Sequence, residues 1–487
     1  MKEVIAGLKP ELMWEHFYEI SQIPRCSRNE EAVREYVLGV AKRNNLEYKI
    51  DAVGNVVVKV PATPGKEDKP IVVLQGHLDM VCEKNKGTEH DFSKDPIKLV
   101  RDGDWMKADG TTLGSDNGIF IAAALAAMED KELVHGPLEC LFTIDEETGL
   151  TGAIELGTDM LEGRILLNLD SEEDGALYIG CAGGRDTEFF FDMESEAVPA
   201  EFKPALVKVL GLKGGHSGLN IHEERGNAIK LLNRFLWKVL PEVGGRLASI
   251  EGGSKHNAIP REAEAVVYLP GGKLADLKAR AAEFEAIYKN ELKFIDPDVK
   301  VEILENGFEA PETMFTSQFH NKLLNFLYVV PHGVIAMSLA VPGLVETSTN
   351  LAVVTVKEGK LSILTSQRSS VDSALDNIND MVKACGYLAG AKVHSGGGYP
   401  AWAPNPDSML LKTTKKVFNE LFGKEPEVKA IHAGLECGII GGKFPGMDMI
   451  SFGPTIQGAH SPDEKVQISA VERFWKLLEG ILKELSN

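Results

Sequence analysis

Four short apolar runs in this chain each lead, within a few residues, to a side chain that can bind a metal. Residues 71–74 precede Gly76-His77-Leu78-Asp79, 138–144 precede Asp145-Glu146-Glu147, and 165–169 precede Asp170. Residues 447–452 lead, after a short loop, to His460. Short apolar runs bounded by glycine and polar residues read as buried strands. In open α/β sheets, sites form in the crevice beyond the carboxyl ends of the strands. Strands ending in His, Glu, Asp and His therefore predict a metal centre, and metal beside carboxylate predicts hydrolysis.

The rest of the chain supplies the other layer of such a fold. Residues 10–24 predict an amphipathic helix, and Ser27 with Glu30 reads as a capping box before a second one. Asp116 stands at the head of an alanine-rich run, 117–128, with strong helix propensity. Strands alternating with helices give an α/β layer with a mixed sheet flanked by helices. After Gly183-Gly184 the pattern changes to β-β-α units, with a weak second copy beyond residue 316. The expected organisation is an α/β catalytic domain interrupted by an α+β lid of two similar halves. The first catalytic part spans 1–184, the lid 185–396, and the second catalytic part 397–487. Gly183-Gly184 and Gly396-Gly397-Gly398 are the hinge candidates.

Bulk composition narrows the function. A chain of 487 residues is long enough for two or three cores. A formal net charge of −20 argues against nucleic acid and anionic membranes as partners. No stretch approaches the roughly 18 to 20 apolar residues of a membrane span. The N-terminal residues lack the apolar core of a signal peptide. The six cysteines are scattered without a CxxC pair, which predicts reduced thiols in a cytoplasm, with Cys82 as packing. There is no GxSxG, no P-loop and no dinucleotide fingerprint.

Zinc takes imidazole nitrogen and carboxylate oxygen, and catalytic sites keep a position open for water. His77 and Asp79 flank one residue of an extended segment, so both point to the same side, and Asp79 can orient the His77 ring. Asp116 suits both a helix cap and a metal. Glu146 and Glu147 sit at a strand-to-loop corner, where one carboxylate can bind metal while the other acts as general base. Asp170 follows its strand directly, whereas Glu172, Glu173 and Asp174 read as a solvated loop. His460 lies between Gly458 and Pro462, a fixed loop, with Asp463 and Glu464 read as the start of a helix. His432 lies in a glycine-dense loop able to line a pocket.

These residues carry a family resemblance. His77-Leu78-Asp79, Gly114-Ser115-Asp116-Asn117-Gly118, Glu146-Glu147, Asp170 and His460 resemble the di-zinc aminoacylase and carboxypeptidase G-like metallopeptidases over essentially the whole chain. The strings Gly214-Gly215-His216-Ser217-Gly218, Asn257-Ala258-Ile259-Pro260-Arg261-Glu262 and Ile431-His432-Ala433-Gly434-Leu435-Glu436-Cys437-Gly438 resemble its dipeptidase branch. The resemblance implies that Asp116 bridges two divalent metal ions, most often zinc, with cobalt and manganese as alternatives. His77 and Asp170 would complete one site, and Glu147 and His460 the other. Glu146 would be the general base, Asp79 would orient His77, and Asp116-Asn117 would be a cis peptide. In the lid, His216 and Asn257 would serve the oxyanion, and Arg368 the substrate carboxylate. The substrate would be a small peptide, including Xaa-His dipeptides such as carnosine, with homodimer formation through the lid. The same site also suits an N-acyl amino acid amidohydrolase or a tripeptidase. The reading from a different class is a non-catalytic zinc-binding protein.

Overall fold

A computed structural model describes residues 2–487. The chain forms two compact units: Met1–Cys181 with Trp402–Ala430 and Leu435–Asn487, and Ala182–Ala401 with Ile431–Gly434. The glycines read as hinges lie inside paired strands. Gly183 and Gly184 open the strand Gly183–Phe191, and 396–398 fall within the strand Lys392–Tyr399. Gly396 pairs with Asp186 and Tyr399 with Gly184. The reason for glycine at 184 is contact, not freedom: a Cβ there would stand 2.8 Å from the Tyr399 ring.

The first unit is built on an eight-stranded mixed sheet. Its order is Glu47–Ile50, Val56–Val60, Leu138–Thr143, Val72–His77, Ile165–Asn168, Asp448–Ser451, Ala176–Cys181 and Glu427–Ile431. The four strands from Leu138–Thr143 to Asp448–Ser451 run parallel and adjacent, so their carboxyl ends share one edge. All four are almost wholly buried, as the near-continuous apolar runs require. The helix Ser115–Glu129 is apolar all round and buried all round, packed on the Val72–His77 strand and on the helix Glu11–Ser21. The predicted capping box does not form. Helix Glu31–Arg43 has no side-chain cap, and Glu30 accepts instead from the Arg28 and Asp145 N–H groups.

A small second sheet of this unit sets the last histidine. Ile456–Gln457, Lys465–Gln467, Trp105–Ala108 and Leu99–Asp102 pair in that order. The loop between the first two strands carries His460 and Glu464. Residues 463–464 therefore lie in a turn between strands; the helix begins only at Ile468.

The second unit carries a nine-stranded sheet of antiparallel pairs. One half pairs Lys300–Leu304, Lys203–Leu210, Ala263–Leu269 and Arg246–Gly252, with helices Ala228–Val243 and Leu274–Glu291. The other pairs Val345–Lys357, Lys360–Ser369, Gly183–Phe191 and Lys392–Tyr399, with helices Ser317–Val329 and Asp372–Leu388; Gly333–Met337 joins its edge. The two halves of the sheet pair at one ladder position, Gly252 with Val354, and helix Ala228–Val243 of the first half packs on helix Ser317–Val329 of the second.

Candidate metal centre

The parallel strands deliver the predicted side chains to one place. His77 is the last residue of its strand, and it turns toward Asp116 because the strand lies tightly on the Asp116 helix. A Cβ at Gly76 would stand 2.1 Å from Asn117 Oδ1 and 2.5 Å from the Phe120 ring, so only glycine allows that approach. Asn117 accepts from the His77 N–H (3.3 Å) and donates to the Leu169 carbonyl (2.9 Å), tying the helix start to two strands. The Asp116-Asn117 peptide is cis.

Asp116 sits between the two histidines. His77 Nε2 lies 3.1 Å from Asp116 Oδ1 and 3.4 Å from Asp170 Oδ1. His460 Nε2 lies 3.1 Å from Asp116 Oδ2 and 3.0 Å from Glu147 Oε2. His77, Asp116 and Asp170 thus bring three donor atoms within 4.8 Å of one another, as do Asp116, Glu147 and His460. His77, Glu146 and Glu147 form a third such group. The His77 side chain is 1% exposed and the His460 side chain 55%, so the centre is closed at the sheet and open at the loop.

The donors also show what they lack. Glu147 Oε1 and Asp170 Oδ1 are buried without any hydrogen-bond partner. Buried charges are normally paired or coordinate metal. Burial pushes the Asp170 carboxyl up to about 6, against the pull of His77. Burial drives Glu146 well above the carboxylate range, with His77 opposing and Asp170, Glu147 and Glu436 reinforcing. Asp116 stays well below the range despite burial, because both imidazoles hydrogen bond to it. Hydrogen bonds to Asp116 and Glu147 raise His460 to about 11. The carboxylates converge where positive charge is wanted, with the two imidazoles among them and the Arg25 guanidinium behind. The donor set fits divalent cations.

A surrounding layer holds these groups in place. Asp79 Oδ1 takes His77 Nδ1 at 3.2 Å and the Glu146 N–H at 3.1 Å. Its Oδ2 accepts from Ser27 (2.8 Å) and the Glu147 N–H (3.3 Å). Burial opposes ionisation of Asp79, but His77 and Ser27 outweigh it and hold it at about 2. Ser27, read as a helix cap, serves Asp79 instead.

Two further charged residues serve the centre: Arg25, which carries no sequence signal, and Glu464, whose spacing suggests a helix start instead. Buried Arg25 donates to the carbonyls of Leu78 (2.9 Å), Asp79 (2.6 Å) and Gly114. Glu464 accepts from the N–H groups of Leu113, Gly114, Ser115 and Asp116 and from the Ser115 hydroxyl. It thereby fixes the backbone that presents Asp116.

The expectation of six reduced cysteines is corrected. Cys26 and Cys82 form a disulfide, because a bridge between Cys26 and Met80 brings two segments 56 residues apart in sequence side by side. Cys140, Cys181, Cys385 and Cys437 lie outside this bridge.

The residues predicted from the lid strings lie in the second unit. His216 Nδ1 accepts from the N–H groups of Gly218 and Leu219, both at 3.1 Å, so the neutral ring carries its proton on Nε2. Burial, then the nearby Arg368 charge, pull its pKa down to about 4. Arg368 is buried, not a surface arginine, and donates to the Tyr399 hydroxyl at 2.9 Å while its Nε has no partner. His432 Nε2 lies 2.7 Å from Ser348 Oγ, and burial and Arg368 lower its pKa to about 3. Asn257 is half-buried, with its carbonyl accepting from the Ser217 N–H.

The chain is similar to known peptidases over nearly its whole length. The model of peptidase family M20/M25/M40 matches residues 73–484. The cytosol non-specific dipeptidase of Escherichia coli is 44% identical over 481 residues, covering 99% of both chains. The crystal structure of an aminoacylhistidine dipeptidase from Vibrio alginolyticus superposes with a TM-score of 0.90 at 44% identity, covering 98% of this chain and 97% of that one. A tripeptidase from Staphylococcus aureus shares the fold alone, at 15% identity and a TM-score of 0.55 over 98% of this chain and 99% of that one. With a family model spanning most of its length and a relative of nearly half-identical sequence over all of it, the chain belongs to peptidase family M20/M25/M40.

Proposed function

We propose that this protein is a metal-dependent dipeptidase of the cytoplasm. The observation that carries the reading is the pair of donor triads sharing Asp116, one oxygen turned to each histidine. His77, Asp116 and Asp170 would hold one divalent cation, and Asp116, Glu147 and His460 a second. Zinc suits this donor set, and cobalt or manganese also fit it. When bound, the cations polarise the scissile carbonyl and lower the pKa of water toward neutrality.

The chain's own groups do the rest. Asp79 accepts the His77 Nδ1–H and so keeps Nε2 turned to the centre. Glu146 takes the proton of the attacking water at its carboxylate and passes it to the departing amine nitrogen. The backbone of Glu146 is held for this by its N–H bond to Asp79. A placed carboxylate contributes roughly 10²- to 10⁴-fold in this role. In the second unit, His216 offers an Nε2–H donor and Arg368 a buried cation, groups suited to a carbonyl oxygen and a carboxylate. Asn257 and His432 are further candidates for substrate contact there.

Two dipeptidases at 44% identity support dipeptides as the substrate class, and one of them is named for histidine-containing substrates. The cytosolic name of the other supports the location, and no helix among the described residues is long and apolar enough to cross a membrane. The test is a panel of Ala-His, β-Ala-His, Ala-Ala, Gly-Gly-Gly and N-acetyl-His with zinc-loaded protein and a Glu146→Ala control. Cleavage of the free-amine dipeptides, strongest for those ending in His and lost in the control, is expected. Cleavage of N-acetyl-His alone would move the assignment to an acyl amino acid hydrolase, and cleavage of Gly-Gly-Gly alone to a tripeptidase.

A further inference from the structure

Behind the metal centre runs a line of buried polar side chains that the mechanism above does not use. It crosses the four parallel strands at their carboxyl ends, in sheet order. Thr143, Gln75, Asn168 and Ser451 each come from one strand, and Gln75 stands in register with Asn168, and Asn168 with Ser451. All four are 0% exposed, as is Glu436, the first residue of helix Glu436–Lys443. Gln75 Nε2 donates to Glu436 Oε2 at 2.5 Å, and Thr143 Oγ1 donates to the same oxygen at 2.8 Å. Asn168 Nδ2 donates to Gln75 Oε1 at 2.7 Å, and Ser451 donates to Asn168 Oδ1. Ser171 Oγ completes the line, 2.7 Å from Ser451 Oγ.

Glu436 decides the direction of every bond in this line. An ionised carboxylate only accepts. Gln75 must therefore turn its NH₂ to Glu436 and its carbonyl to Asn168. Asn168 must then donate to Gln75 and accept from Ser451, which leaves Ser171 to donate to Ser451. Four members also stand close in sequence to residues of the centre. Gln75 lies two residues before His77, Asn168 two before Asp170, Ser171 one after Asp170, and Thr143 three before Glu146. Glu436 has a second oxygen, Oε1, that is buried with no partner. Burial pushes the Glu436 carboxyl up to about 7, with His77 and the Thr143 and Gln75 hydrogen bonds opposing and Asp170 reinforcing, and its charge in turn raises Glu146.

We propose that Glu436 is a positioning residue of the metal centre. Its acceptor oxygen orients the hydrogen-bond line that sets the ligand-bearing strand ends, and its negative charge favours cations at the donors in front of it. A buried carboxylate with no cation partner is unfavourable in the bare protein, and divalent cations in the centre offset that cost. Glu436 thus opposes release of metal without touching it. This rests on the metal-centre reading above.

The test is Glu436→Gln. The glutamine carbonyl replaces Oε2 and accepts from Gln75 and Thr143 as before, while its amide occupies the unpartnered position; shape and bond direction persist and only the charge goes. Zinc affinity is measured by competition with a chromophoric chelator, beside the melting temperature of the metal-free protein. The expected result is zinc bound roughly 10- to 100-fold more weakly, the usual cost of losing an outer-layer partner, with the metal-free melting temperature unchanged or higher. Zinc affinity within about twofold of wild type would overturn the proposal, and a metal-free melting point lowered by about 3 °C or more with unchanged affinity would assign Glu436 to folding alone. Should the glutamine variant not fold, Glu436→Asp, which keeps the charge, decides: affinity within about threefold of wild type supports the proposal, and a larger loss overturns it. A wild-type protein that binds no zinc would defeat the metal-centre reading and this inference with it. Zinc binding without dipeptide cleavage would defeat the substrate assignment only.

Discussion

Glu464 is the clearest place to test how Asp116 is held. Its two carboxylate oxygens accept five hydrogen bonds. Oε2 takes the N–H groups of Leu113 (2.8 Å) and Gly114 (3.0 Å). Oε1 takes the N–H of Ser115 (2.7 Å), its hydroxyl (2.6 Å) and the N–H of Asp116 (3.3 Å). Glu464→Gln keeps the shape but turns one oxygen into a donor, so at least the two bonds to one side are lost, and donor then faces donor. Hydrogen bonds to a charged group contribute about 1.5–3 kcal/mol each. Two of them come to about 3–6 kcal/mol, all falling on residues 113–116. The assay is hydrogen–deuterium exchange of the peptide spanning these residues, together with urea unfolding of the metal-free protein. About 3 kcal/mol corresponds to local opening roughly 100-fold more frequent. Protection of Leu113 and Gly114 unchanged in the variant, with an unchanged unfolding midpoint, would refute the claim that Glu464 holds the Asp116 backbone.

Two further outcomes are expected. His320 is buried and neutral, its Nδ1 accepting from the Leu247 N–H at 3.1 Å, and burial with Arg246 lowers its pKa to about 4. The unfolded chain, with an ordinary His pKa near 6.5, then binds more protons than the native one between about pH 6.5 and 4. Stability should therefore be lost as the pH falls through that window, by about 1.5 kcal/mol from pH 6.5 to 5 for this group, and His320→Gln should flatten the slope in urea titrations. An equal slope in the variant would remove His320 as the cause. The Cys26–Cys82 disulfide closes a loop of 56 residues in sequence separation, which the chain-entropy account values at up to about 4 kcal/mol. Reduction should lower the unfolding midpoint, and thiol titration of denatured, unreduced protein should find the four cysteines outside the bridge; six thiols would refute the bridge.

Much of the centre is legible in the sequence because of how parallel sheets work. Each strand ends at the same edge, so a His, Asp or Glu just past an apolar run is delivered to that edge without knowledge of its neighbours. His77, Glu146, Glu147 and Asp170 follow this logic, and the Asp116 helix follows from its alanine-rich run. The β-β-α units expected after Gly183-Gly184 likewise appear, each with its helices packed on strands.

What the sequence by itself determined is therefore local: which segments become strands and helices, and which reactive side chains stand at their ends. Only the tertiary structure decided which distant groups hold them. Arg25 reaches Gly114, Glu464 reaches Leu113, and Glu436 reaches Gln75 across gaps of 89, 351 and 361 residues. Cys26 finds Cys82 in the same way, Ser27 leaves its expected cap for Asp79, and the hinge-like glycines pair as strands. A buried charge or donor must take whatever partner the packed interior places beside it. Periodicity and spacing record what a residue does within its own segment, and they are silent about the partner that folding brings to it.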